Sequence, residues 1–109
     1  MKVEVLYFDG CPTYKTATKT LHAVLAEEGM EAEVQLVAIN SDEEARRLRF
    51  SGSPTIRVDG EDVFPVAERE DWRLGCRVYV TPQGLRGSPT AEMLREALTK
   101  GGTGANRNL

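Results

Sequence analysis

Apolar positions along the chain change period several times, and each change marks an element. Val3 to Phe8 is apolar at every position but Glu4 and rich in β-branched and aromatic residues, the pattern of a strand covered on both faces. The run stops at Asp9-Gly10. From Pro12 to about Glu28, residues Tyr14, Ala17, Leu21, Val24 and Leu25 recur at helical spacing, and Gly29 is placed to end that helix. Ala32, Val34, Leu36 and Ala38 then alternate with Glu33 and Gln35, which predicts a second strand running to Ile39. Ser41 and Glu44 have the spacing of a capping box ahead of a short helix whose buried stripe is Ala45, Leu48 and Phe50. A strand–helix–strand unit of these lengths closes as a right-handed crossover between parallel strands.

The second half opens at Ser51-Gly52-Ser53-Pro54-Thr55. Thr55 to Val58 predicts a third strand, ended by the turn pair Asp59-Gly60. Glu61 to Gly75 contains Phe64-Pro65, Trp72 and many charges without a clear period, and reads as a long loop. Cys76 to Val80 reads as the final strand and Pro82-Gln83-Gly84 as a turn. A last helix is expected from an N-cap at Ser88, with Pro89 in its first turn, through Lys100, burying Met93, Leu94, Ala97 and Leu98. The predicted order is β-α-β-α-β-β-α in one domain over residues 1–100. The Gly- and Asn-rich stretch 101–109 reads as a disordered tail.

Composition narrows the classes of function. A chain of 109 residues with 40% hydrophobic and 28% charged residues is an ordinary globular domain with one core. A formal charge of −3 argues against nucleic acid or an anionic membrane as partner. Arg46, Arg47 and Arg49 stand beside Glu43 and Glu44 and read as a solvated helix face. No apolar run approaches the ~20 residues of a membrane span, and Glu4 falls where a signal peptide would be apolar. A cytoplasmic protein is expected. Two cysteines are too few for a disulfide scaffold, and that compartment would keep them as thiols. The sequence is silent on oligomeric state.

Candidate chemistry centres on Cys11, at the seam between the first strand and the first helix. Free N–H groups and the positive end of the helix dipole favour a thiolate there. Pro12 suits the helix start because its missing N–H would have had no partner. Asp9, separated from Cys11 by Gly10, opposes the thiolate, and Lys15 offsets part of that charge. His22 lies too far along the helix to serve as a base. The plainer reading of Tyr14 is a helix-face aromatic packed on the sheet, with a hydroxyl able to reach a bound ligand. Cys76 has a plain reading as a small buried apolar residue. The alternative is a resolving thiol, which needs Cα atoms within about 7 Å. The expected topology brings the Val80 end of the last strand, not Cys76, toward the helix start, so such a pair requires movement of the 61–75 loop. No His cluster accompanies the cysteines, and the roughly four ligands of a zinc site are not available, so no metal site or bound cofactor is expected.

The order of elements, together with Tyr7-Phe8-Asp9-Gly10-Cys11-Pro12, with Ser53-Pro54-Thr55 followed by Gly60, and with the C-terminal hairpin and helix, resembles the thioredoxin-like superfamily over about residues 2–100. More narrowly, the LYFDGCP start and the GSPT-V-DG middle resemble small bacterial thioredoxin-like proteins, some of which carry labels related to organomercurial lyase. The resemblance implies an α/β fold with a four-stranded mixed sheet flanked by helices and a cis Ser53–Pro54 bond. It also implies a substrate site at Ser53, Pro54 and Thr55 with Pro12 and Tyr14 beside them, in which the Ser53 backbone pairs with an extended peptide or glutathione. Dithiol members carry Cys-x-x-Cys where this chain has Cys11-Pro12-Thr13-Tyr14. Three functions follow. The leading expectation is thiol–disulfide exchange through Cys11 alone, with glutathione or another external thiol releasing the product. A redox-inactive binding module would present the Pro54 edge to a peptide or partner protein. Soft-metal handling would use Cys11 and Cys76 to hold mercury and Asp9 to protonate a carbon–metal bond.

Overall fold

The computed structural model describes residues 1–65, 72 and 74–99. Its elements are β1 (Lys2–Tyr7), α1 (Thr13–Glu27), β2 (Glu33–Ala38), α2 (Asp42–Leu48), β3 (Thr55–Val58), β4 (Glu61–Asp62), β5 (Tyr79–Thr81), β6 (Gly84–Arg86) and α3 (Ala91–Thr99). β1 is central in a four-stranded mixed sheet of order β2-β1-β3-β4. It runs parallel to β2, Val5 opposite Leu36, and antiparallel to β3, Val5 opposite Ile56.

The alternation of β1 divides the core in two. Val3 and Val5 pack with Ile56 and Val58 of β3 against Leu21, Val24 and Leu25 of α1 and Leu94 and Leu98 of α3. Leu6 points to the other face, where Ile39, Phe50 and Ala45 of α2 close over it. Each large aliphatic side chain fully buried in this way contributes roughly 1.5–3 kcal/mol. The result is three layers, with the strand ends at Tyr7 and Thr55 meeting the start of α1.

Helix ends follow their local chemistry. Gly29, at φ +64, closes α1, with Gly29 N–H bonded to Ala26 O and Met30 N–H to Leu25 O. Ser41 caps α2 by accepting from Glu44 N–H at 3.1 Å, while the Glu44 carboxylate reaches back to Asn40 N–H at 2.7 Å. Arg57 on β3 donates to the last carbonyls of that helix, Leu48 O at 2.7 Å and Arg49 O at 3.0 Å.

The C-terminal half departs from expectation in three places. The fourth strand of the sheet is Glu61–Asp62, not Cys76 to Val80. Asp59 and Gly60 both take positive φ, 50° and 91°, and turn the chain straight back so that Arg57 faces Asp62. Two charged residues carry no strand pattern, yet charge suits an exposed edge. Tyr79–Thr81 pairs instead with Gly84–Arg86 as a separate hairpin. The cap of α3 is Thr90, whose Oγ1 accepts from Met93 N–H at 3.1 Å, rather than Ser88. Part of the expected 61–75 loop, Lys100 and the expected tail at 101–109 lie outside the described residues.

Candidate functional site

The seam after β1 is a tight turn in which Cys11 N–H donates to Phe8 O at 2.9 Å. A Cβ on Gly10 would stand 2.6 Å from ring carbons of Phe8, so a larger residue there would have to displace that ring. Pro12, at φ −69° and ψ −5°, occupies the N-cap position just outside α1, one place before the first helical residue. Cys11 therefore precedes the helix start, with Sγ 3.8 Å from Thr13 Oγ1, and is only 4% exposed. Gly87 covers Thr13 from the side of α3, where a Cβ would come within 2.6 Å of Thr13 Cγ2.

Across from this seam lies the loop before β3, with a cis Ser53–Pro54 bond. Cys11 is joined by a disulfide to Cys76, 65 residues away in sequence, with the Cα atoms 5.7 Å apart. Cys76 is exposed, so its reading as a buried apolar residue is corrected. The topological objection fails because Cys76 belongs to no strand of the main sheet. It lies in parallel register with Ser53, whose N–H donates to Gly75 O at 2.8 Å and whose carbonyl accepts from Arg77 N–H at 2.9 Å. The backbone edge expected to receive a peptide thus carries residues 75–77 of the chain itself. Gly52 makes the approach possible: it takes φ +115°, and a Cβ there would lie 2.8 Å from Arg77 Cβ and 2.9 Å from Arg77 Cα.

Two side chains that follow Cys76 on the same segment, Arg77 and Tyr79, anchor it. Arg77, 7% exposed, donates through Nη1 to Asp62 Oδ2 at 2.8 Å and Ser51 Oγ at 3.1 Å, and through Nη2 to Phe64 O. Its guanidinium carbon lies 4.7 Å from the Tyr79 ring centroid. Tyr79 donates its hydroxyl to Pro54 O at 2.5 Å. Burial pushes the Tyr79 phenol well above the usual tyrosine range, against the pull of Arg77 and with help from Asp62. Thr55 is buried and donates to Gly52 O at 2.6 Å, a contact that braces the loop. Pro54 and Ser53 are buried as well, and Ser53 Oγ has no hydrogen-bond partner among the described residues.

On the outer side, Tyr14 stacks on Tyr7 with centroids 4.1 Å apart and donates to Asp9 Oδ1 at 3.5 Å. Desolvation, then the Asp9 carboxylate and Tyr7, raise the Tyr14 phenol above its usual value. Lys15 Nζ stands 6.0 Å from the centroid of the same ring. Asp9, Gly10 and Pro12 are exposed beside it. The site therefore has an open rim of Asp9, Pro12 and Tyr14 and a closed floor of Cys11, Ser53, Pro54 and Thr55.

The arrangement can make and break one disulfide. When the bond is reduced, two thiolates at this spacing offer a soft ion two ligands. Among the described residues no group of three or more His, Cys, Asp and Glu side chains gathers to hold a metal. Sequence reading missed Arg77, Tyr79, Asp62 and Gly52, the residues that hold Cys76 in place. The available signal was the alternation Cys76, Val78, Val80 against Arg77, Tyr79, Thr81, with an arginine in the inward set. No family model, curated protein or solved structure matches the chain. No helix among the described residues is long and apolar enough to cross a membrane.

Proposed function

We propose that this is a thioredoxin-like protein that carries out thiol–disulfide exchange, and that its working pair is Cys11 and Cys76. The observation that carries the reading is the disulfide between a cysteine at the start of a helix and a cysteine lying on the cis-proline loop. The sheet order β2-β1-β3-β4, with helix α1 following the first strand, supports the fold assignment. Tyr14 stands where a Cys-x-x-Cys protein has its second thiol. Here that thiol comes from residue 76 instead, so a mixed disulfide on either cysteine is resolved from within the molecule. Glutathione or a protein thiol is the external partner. The binding-module reading is weaker, because residues 75–77 already occupy the Ser53 edge that a peptide would pair with.

The test is equilibration in glutathione redox buffers, with exchange then assayed on a glutathionylated peptide. A reversible two-electron transition is expected, with exchange falling at least tenfold in both Cys11→Ser and Cys76→Ser. Full exchange in Cys76→Ser would return the protein to single-thiol chemistry through Cys11. Full exchange in both variants would sink the redox reading altogether.

A further inference from the structure

We propose that the sulfur exchanging with external thiols is that of Cys76, and that Cys11 is the buried partner that leaves and returns. This rests on the exchange function above and reverses the roles expected of the two cysteines.

Access decides the direction. Displacement at a disulfide runs in line, with the nucleophile approaching the attacked sulfur from the side opposite its partner, so reach to that sulfur governs which bond forms. Cys11 is 4% exposed, under Thr13 and beside the Ser53–Pro54 loop, and an in-line approach to it comes from the side away from Cys76. Cys76 heads an outward row: Val78 and Val80 beyond it are 60% and 78% exposed, while Arg77, Tyr79 and Thr81, which alternate with them, are buried. A thiol from solution meets Cys76 first.

The leaving side is equally directed. An external thiolate RS⁻ bonds to Cys76 Sγ, and the Cys11–Cys76 bond breaks with its electron pair on Cys11. That anion forms at the N-terminus of the 15-residue helix α1, whose free N–H groups favour negative charge, with Thr13 Oγ1 at 3.8 Å. A second external thiolate then attacks the R sulfur, releasing RSSR and the Cys76 thiolate. Two external thiols are oxidised, the protein disulfide is reduced, and two protons pass to the cysteine sulfurs. In the oxidising direction the Cys76 thiolate attacks RSSR, and Cys11 displaces the second RS⁻ from Cys76. The return attack needs Cys76 kept in reach after the bond opens. Arg77 on Asp62, Ser51 and Phe64, and Tyr79 on Pro54, supply that hold without the disulfide.

The deciding experiment treats the oxidised protein with glutathione, quenches with acid at short times, and locates the mixed disulfide by peptide mass spectrometry. Glutathione is expected on the Cys76 peptide in at least tenfold excess over the Cys11 peptide. In parallel, the reduced single-cysteine variants are mixed with glutathione disulfide, and Cys11→Ser is expected to be glutathionylated at least tenfold faster than Cys76→Ser. Early label on Cys11, or equal or reversed rates, overturns this assignment while leaving the exchange function standing. A disulfide that no concentration of glutathione reduces overturns both.

Discussion

Tyr79 ties three features together, because its hydroxyl holds the carbonyl of the cis-proline while its ring lies under the Arg77 guanidinium. Its burial has a pH consequence whose sign is fixed. The folded protein keeps the phenolic proton beyond the usual value of 10.0, at which the unfolded chain loses it. The stability held by the neutral phenol is therefore fully present below about pH 10 and declines as pH rises above it. Tyr79→Phe is expected to cost about 1 kcal/mol at neutral pH through the lost hydrogen bond. Above about pH 10 it is expected to lose stability less steeply than the parent. Urea unfolding across pH 7 to 11 measures both, and parallel curves would contradict the buried-phenol account. At this scale the sequence was partly legible. Cys11 announced itself because a turn and a helix start are local signals. Gly52 did not, because the atoms that exclude a side chain there belong to Arg77, far along the chain.

Elements that carry a clear hydrophobic period were read correctly: β1, α1, β2, α2 and β3 all lie close to where periodicity placed them. The 75–79 segment was not, because what holds it is a set of long-range polar bonds rather than a hydrophobic period. Arg77 was the hidden determinant. Its replacement by Met leaves Asp62 Oδ2 and the Phe64 carbonyl without the Arg77 donor, in a site where the pair is mostly withdrawn from water. A loss of about 3 kcal/mol is expected. The variant should also reoxidise several-fold more slowly after reduction, since Cys76 is no longer held against Ser53. Unfolding titrations and the rate of disulfide return after removal of reductant test the two effects separately. A variant of reduced stability that reoxidises at the parental rate would show that Arg77 supports the fold without placing Cys76.

For the whole molecule, the faces that α1 and α3 bury were legible from their periods, although Leu36, in the apolar alternation of β2, is 52% exposed. The covalent closure was not, since neither Cys11 nor Cys76 shows in sequence how the chain folds between them. That closure spans a sequence separation of 65 and encloses α1, β2, α2, β3 and β4. A cross-link over a loop of this size removes freedom from the unfolded chain worth about 4 kcal/mol in the chain-entropy account. Reduced protein should accordingly unfold at a clearly lower urea concentration than oxidised protein, and coincident midpoints would refute a stabilising bond. Folding and reduction form a thermodynamic cycle, so the same free energy must appear on its other side. Folding raises the effective concentration of one cysteine at the other by roughly a thousandfold over the loose chain. A level of cellular thiol that leaves the folded molecule closed would open the same bond in an unfolded copy, so the oxidation state of this pair reports whether the chain around it is folded.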